Sequence, residues 1–287
     1  MKQNLSRIIQ GCMTWGKWGA NFNTQAMSQK IEQIVELGVT TFDHADIYGD
    51  YTTEEAFGKA FIQSRINRED IQLISKCGIQ LHNEKRETFV KHYNYDASYV
   101  ISQAEQSLKK LKTDYLDLFL LHRPSPLMHI DEVTKAIDKL QKDGKIKYFG
   151  VSNFTPQQID FLAQSLDVSA NQIQCSLTHY HPLEDDTLFY HQQHEIMTMA
   201  WSPLGGLFKI DEYSALQQAF EEISEKHNCT IPQIALAWLH KHPANIYPVI
   251  GTTKTERVQE AMESLNIKLD LQDWFELYEA ARGREVD

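Results

Sequence analysis

The sequence predicts an α/β fold, a closed (β/α)8 TIM barrel with an additional C-terminal helix, and three observations lead there. Short apolar runs suited to buried parallel strands recur eight times along the chain. Amphipathic helical stretches alternate with them, as repeated βα units around a parallel sheet require. The 287 residues fit a single barrel domain over 1–287, because such barrels reach roughly 250 residues. No Gly/Ser-rich linker, composition shift or low-complexity tract divides the chain.

In chain order the strands are expected at Arg7–Gly11, Thr41–His44, Ile71–Lys76, Tyr115–His122, Tyr148–Ser152, Ala170–Gln174, Met197–Ser202 and Tyr247–Gly251. Between them, Ile31, Ile34, Val35 and Leu37 recur at helical spacing, as do Val100, Ala104, Leu108 and Leu111. Each set would turn one apolar stripe onto the outside of the barrel. Further helices are expected at Val133–Lys142, Pro156–Ser165, Ala215–His227, Pro232–His240 and Val258–Ser264. A last one, Trp274–Ala281, would cross the barrel exterior. Cys77 to Asp96 reads as one long irregular segment after the third strand, either part of a pocket rim or a surface loop.

Hydrophobic residues make up 42% and charged residues 23%, so the chain can bury a large core without disulfides or metal. A net charge of −11 leaves no basic face for nucleic acid or an anionic membrane, and neither is expected as a partner. An anionic ligand would have to be held by individual Lys and Arg residues against that overall field. Cys12, Cys77, Cys175 and Cys229 lie far apart with no C-x-x-C, and read as reduced thiols. With no signal-like apolar stretch at Met1–Leu5 and no run near the roughly 20 residues of a membrane span, a cytoplasmic protein is expected.

Barrel enzymes draw their reactive groups from the C-terminal ends of strands, where this chain places Asp43, Lys76, His122 and Ser152-Asn153. Singly, an Asp at a strand end is commonly a turn former and His122 could simply end a core strand. A lysine directed into the barrel mouth, however, needs a partner, and Asp43 on a nearby strand can supply one. Tyr48 follows on the loop after the second strand. A phenol ordinarily titrates near 10, and a cation within about 4–6 Å is expected to lower that by about 1–3 units. Tyr48 is then a candidate general acid.

These residues resemble the aldo-keto reductase superfamily, in which an Asp, a Tyr five positions later, a strand-three Lys and a strand-four His form a catalytic tetrad. Phe42-Asp43-His44-Ala45-Asp46-Ile47-Tyr48-Gly49, Ser75-Lys76, Leu121-His122-Arg123-Pro124 and Gly150-Val151-Ser152-Asn153-Phe154 match its blocks in order, over nearly the whole chain. The chain looks closest to an uncharacterised bacterial subgroup. The resemblance implies NAD(P)H-dependent reduction of a small aldehyde or ketone, with Tyr48 as proton donor, Lys76 lowering its pKa, Asp43 positioning Lys76 and His122 orienting the carbonyl.

The same resemblance implies a cofactor site. Ser152, Asn153 and Gln172 would hydrogen-bond the nicotinamide carboxamide, and Trp201 would stack on its ring. Ser202, Leu204, Gly205 and Gly206 would approach the pyrophosphate. Gly251, Thr252, Thr253 and Lys254 lead into a helix in capping-box form, Thr253-Lys254-Thr255-Glu256, where barrels commonly bind phosphate. Arg257 resembles the family's residue for the adenosine 2′-phosphate, which favours NADPH while leaving NADH possible, and Glu260 matches a further adenosine contact. Gly251 stands where many relatives carry a basic residue and Ala261 where many carry Asn, so fewer adenosine contacts are expected.

Trp15, Trp18, Tyr51, Tyr95, Arg123 and Tyr180 are candidates for the substrate rim. One rival reading is a metal-dependent hydrolase, from His179-Tyr180-His181. That motif follows strand six, while strand one ends in Gly11-Cys12 without ligands, and no metal is expected. His191 and His194, three residues apart, read as a solvated helix face. A second rival is a cofactor-binding regulator that keeps the barrel without turnover. A monomer is expected, since the tetrad needs only one barrel.

Overall fold

The computed structural model describes residues 5–82, 88–209 and 214–287. Eight parallel strands close into a ring: β1 (Ile9–Gly11), β2 (Thr41–Asp43), β3 (Gln72–Cys77), β4 (Leu116–Leu121), β5 (Ile146–Ser152), β6 (Ala170–Gln174), β7 (Met197–Trp201) and β8 (Tyr247–Ile250). Each pairs with its neighbours in chain order, and β1 closes on β8 through Ile9 opposite Val249 and Gln10 opposite Ile250. Every strand lies within two residues of its expected bounds. Strands buried on both faces appear in sequence as unbroken apolar runs, which is why all eight were legible.

Alternate residues of each strand face opposite ways. Leu118 and Leu120 of β4 point into the barrel with Ile9, Ile74, Ala170, Met199 and Val249. Phe119 and Leu121, between them in sequence, point outward and join Phe42, Phe149, Val100 and Ile137 under the helical layer. The barrel interior is thus a packed core, and open space is confined to its ends.

The helices follow from their caps and stripes. Asn23 caps Thr24–Glu36 by accepting from the Ala26 amide, and that helix buries Met27, Ile31 and Ile34. Ala97–Leu111 buries Val100, Ala104, Leu108 and Leu111 and ends at Lys112 in the left-handed conformation. Pro156–Ala163 and Ile231–Lys241 both open on capping boxes with Pro in the first turn. The additional helix, Leu271–Arg282, crosses the exterior and packs against Ile231–Lys241 by stacking Trp274 on Trp238, 5.0 Å between ring centres and 6° from parallel. Each indole N–H donates to the other residue's carbonyl, at 3.2 and 3.0 Å.

Two helices and a hairpin went unread in the sequence. Thr53–Gln63 opens on polar Thr53-Glu54-Glu55 and carries Gly58 mid-helix, both of which mask its stripe. A Cβ at Gly58 would come within 2.0 Å of the Lys110 carbonyl, so the glycine is what lets two helices touch. Thr187–Gln193 is under two turns long. Within the expected irregular segment, Ile79–Gln80 pairs antiparallel with His92–Tyr93, giving a short hairpin beside the barrel mouth.

One surface assignment is corrected: His194 is exposed, but His191 is fully buried. Its Nδ1 meets Thr198 Oγ1 at 2.9 Å and its Nε2 meets the Asn171 amide at 3.1 Å, and burial lowers its pKa to about 4. Spacing alone could not tell which face of so short a helix turns inward. All four cysteines are free, three of them buried. Among the described residues no helix is long and apolar enough to cross a membrane.

Candidate active site

Asp43 ends β2 opposite Ile74 of β3, which places Lys76 two residues further along and on the same inward face. The Lys76 ammonium, fully buried, donates to both Asp43 carboxylate oxygens at 2.7 Å and to the His44 carbonyl at 2.8 Å. It lies 3.3 Å from the Tyr48 hydroxyl. Tyr48 returns over this rim because the chain turns sharply at Gly49 (φ +59), where a Cβ would strike Thr53 Oγ1 at 2.4 Å. The His122 amide donates to the Cys77 carbonyl at 2.9 Å, tying the residue after β4 to the end of β3. The Tyr48 and His122 ring centres are 6.1 Å apart. All four residues expected to act together are therefore in one cluster.

Electrostatics assign each a protonation state. Burial is the largest single effect and works against the charge of Lys76, but Asp43 and Tyr48 together outweigh it and raise the Lys76 pKa, so the ammonium persists. The expected lowering of Tyr48 is not met. Burial is the larger effect and raises it, while Lys76 pulls the other way. Tyr48 accordingly stays a protonated phenol throughout the neutral range. Burial, then the charges of Lys76, Arg123 and Lys91, hold His122 well below the usual imidazole range, so it is neutral. Its Nδ1 is buried with no protein partner among the described residues. His44, unread in the sequence as part of this cluster, is fully buried, has its pKa lowered to about 3 by burial and Lys76, and lies edge-on to Phe57 at 4.4 Å.

Around the tetrad runs a chain of hydrogen bonds. Gln172 Nε2 donates to Asp43 Oδ1 at 3.1 Å, Ser152 Oγ donates to the Gln172 carbonyl at 2.9 Å, and Asn153 Nδ2 donates to Ser152 Oγ at 2.7 Å. The Trp201 indole N–H donates to Asn153 Oδ1 at 2.9 Å, which fixes the plane of the ring. Asn153 (φ +61) and Ser202 (φ +48) sit in left-handed backbone at the ends of β5 and β7. Among the described residues Gln172 Oε1 and the second hydrogen of Asn153 Nδ2 have no partner, and these are the acceptor and donor a carboxamide needs.

A cavity of about 510 Å³ opens above this chain, lined by Asp43, Tyr48, His122, Ser152, Asn153, Gln172 and Trp201. Trp18 and Arg123 of the expected rim line it too. The other rim candidates do not. Trp15 is fully buried against Phe22, Phe42 and Phe57. The Tyr95 hydroxyl is buried on the Arg123 backbone, Tyr51 accepts the Leu81 amide, and Tyr180 packs edge-on to Tyr278. Met13, Thr14, Lys91 and Tyr93 also line the cavity and were missed, Lys91 and Tyr93 because the hairpin was read as irregular.

A second cavity of about 550 Å³ shares Ser202, Ile250 and Gly251 with the first and extends to Leu204, Gly205, Thr252, Arg257 and Glu260. Gly206, Thr253 and Lys254 do not line it. The expected capping box is not formed. The helix runs Thr255–Glu263 with Lys254 as its cap residue, and no side chain caps its first-turn amides. Together the cavities make a slot with a reactive cluster at one end and Arg257 beside a helix N-terminus at the other. His179 and His181 lie 5.6 Å apart, and among the described residues no three His, Cys, Asp or Glu side chains gather as a metal site.

The chain matches the model of the Aldo/keto reductase family over residues 7–282. It is similar to "Oxidoreductase YdhF" of Escherichia coli, at 41% identity over 98% of this chain and 95% of that one. It is also similar to a "6-dehydroglucose reductase" of Agrobacterium fabrum, at 39% identity over 99% and 97%. Among solved structures, the thermostable aldo-keto reductase Tm1743, in complex with the inhibitor epalrestat, superimposes with a TM-score of 0.83 at 26% identity, over 96% of this chain and 95% of that one.

Proposed function

As this chain is an enzyme belonging to the aldo/keto reductase family, we propose that it reduces the carbonyl of a small aldehyde or ketone to an alcohol with NADPH, Tyr48 serving as general acid. One observation carries the reading: a buried ammonium pinned by Asp43 stands 3.3 Å from a phenol that faces an open cavity beside a neutral imidazole.

Held beside Ser152, Asn153, Gln172 and Trp201, a reduced nicotinamide would supply the hydride that the carbonyl carbon accepts as the carbonyl π pair passes to oxygen. The residues handle everything else. His122, uncharged, donates a hydrogen bond that orients the carbonyl without giving up its proton. Tyr48 Oη transfers its proton to the oxygen as negative charge builds there. A phenol held above its ordinary pKa still suits this step, because an alkoxide is far more basic, and the raised value keeps the proton in place until it is needed. Lys76 stabilises the phenolate left behind, and Asp43 fixes Lys76.

The free acceptor of Gln172 and free donor of Asn153 suit the nicotinamide carboxamide, with Trp201 as the stacking face. Gly251 leaves open space where a side chain would stand. Arg257, in the first turn of Thr255–Glu263, suits a 2′-phosphate and is the basis for preferring NADPH to NADH. Every proposed group comes from one barrel, so we take the monomer to be sufficient. Four free thiols fit the reducing cytoplasm.

Titration of tryptophan fluorescence with NADPH and NADH, followed by absorbance decay of NADPH with aldehydes and ketones, tests the reading. Binding with turnover supports it, and Tyr48→Phe should then keep cofactor binding while losing about 10²–10⁴-fold in kcat. Unchanged turnover in that variant removes Tyr48 as the acid. Absence of binding removes the whole proposal.

A further inference from the structure

The cavity over Tyr48 and His122 is lined by two cations. Lys91 lies next to the hairpin strand His92–Tyr93, and Arg123 directly follows His122. Among the described residues neither makes an ion pair, and neither side chain donates a hydrogen bond to protein. Arg123 only overlies the Trp201 ring, at 5.6 Å. Several cations elsewhere in the chain are matched: Arg68 and Lys147 hold Asp117, Lys145 holds Glu105, and Lys226 holds Asp273. Among the described residues the one carboxylate lining the cavity, Asp43, is already neutralised by Lys76. A chain of net charge −11 thus keeps, among its described residues, two positive groups without an ion pair at the mouth of its candidate active site. Their fields reach the imidazole there, since both help to depress His122.

We infer that the substrate of this enzyme is an anionic carbonyl compound, a carboxylate- or phosphate-bearing aldehyde or ketone, whose charged end is held by Arg123 and Lys91 while its carbonyl meets Tyr48 and His122. The inference rests on the reductase reading and narrows it. A neutral carbonyl would offer these two cations nothing to pair with, whereas an anion offsets both and presents the oxygens that a guanidinium fork engages. A pocket of one sign also concentrates such substrates against the negative field of the rest of the protein. The negative end then sits away from the hydride-accepting carbon, so it does not oppose the charge that builds on the carbonyl oxygen.

The test is steady-state NADPH oxidation with matched pairs: butyraldehyde against succinic semialdehyde, and glyceraldehyde against glyceraldehyde 3-phosphate. The charged member of at least one pair should show kcat/KM about tenfold or more above its neutral partner, with the advantage shrinking as salt is raised. The pair showing the advantage distinguishes a carboxylate from a phosphate. Arg123→Gln combined with Lys91→Gln should abolish the advantage mainly through KM, and Arg123→Lys should restore part of it. Efficient reduction of butyraldehyde or glyceraldehyde with no gain from the charge overturns the inference and leaves the reductase reading intact. A charge preference that survives the double substitution overturns the assignment to these two residues. Failure to reduce any of the four, with either cofactor, removes the reductase reading itself and this inference with it.

Discussion

The two ends of the barrel each carry acid–base pairs, and they use them differently. At the N-terminal end, Asp117 near the start of β4 accepts from Arg68 at 2.7 Å, from the Leu73 amide at 2.9 Å and from Lys147 at 2.8 Å. Arg68 spends its remaining donors on the Ile71 and Tyr115 carbonyls and on Thr113. Both Asp117 oxygens are thus taken up within the protein. At the C-terminal end, Lys76 and Asp43 are as tightly paired and more deeply buried, yet they are surrounded by polar groups without a partner among the described residues: His122 Nδ1, Gln172 Oε1, and the cations Arg123 and Lys91. Polar satisfaction separates a clamp from a site.

Breaking each pair should expose that difference. The largest effect is expected from Lys76→Met, which leaves Asp43 buried without a countercharge. Urea unfolding should show a loss of about 3–5 kcal/mol, and carbonyl reduction should fall to background in whatever protein remains folded. Asp117→Ala should cost less, about 2–3 kcal/mol, because Arg68 and Lys147 can turn toward water. The folded Asp117→Ala protein should keep wild-type kcat and KM, and a change in either would erase the distinction drawn between the two ends.

The buried histidines sharpen the comparison through pH. His122, His44, His191 and His240 all have folded pKa values depressed by burial, the last three to about 3, about 4 and about 4. The unfolded chain therefore binds more protons below 6.5, and stability must rise with pH there. Stability should be complete above 6.5 and should fall as the pH drops toward 4, by up to about 1.4 kcal/mol per pH unit for each group. Urea midpoints across that range check the slope, and His191→Gln should flatten it. Because His122 is neutral throughout, kcat/KM should show no inflection near 6.5, which a pH profile would reveal. The smallest effect belongs to a pair on neither end: Lys59 with Glu55, both more than half exposed, where Lys59→Ala should change stability by less than about 0.5 kcal/mol.

The sequence made the strands legible through their apolar runs and the tetrad through the polar residues that end them, because both signals are local. What it hid depended on which way a side chain turns. Trp15 reads as readily on a rim as in a core, and only Phe22, Phe42 and Phe57 closing around it decide the matter. His191 differs from His194 only by one helical face. Lys91 lay within the segment from Cys77 to Asp96 that the sequence left open between pocket rim and surface loop, and its place in the cavity comes from a hairpin of two-residue strands too short to read. The direction of the Tyr48 shift was hidden for a further reason. A neighbouring cation can be guessed from spacing, but the burial that outweighs it cannot.

The chain of hydrogen bonds from Trp201 through Asn153, Ser152 and Gln172 to Asp43 and on to Lys76 is continuous in the protein alone. Its members lose their conformational freedom once, during folding, and not again at each turnover. Arriving ligands meet a mouth already in register, so the slow motions of this enzyme should belong to the loops that let molecules in and out, with the reacting groups holding still between visits.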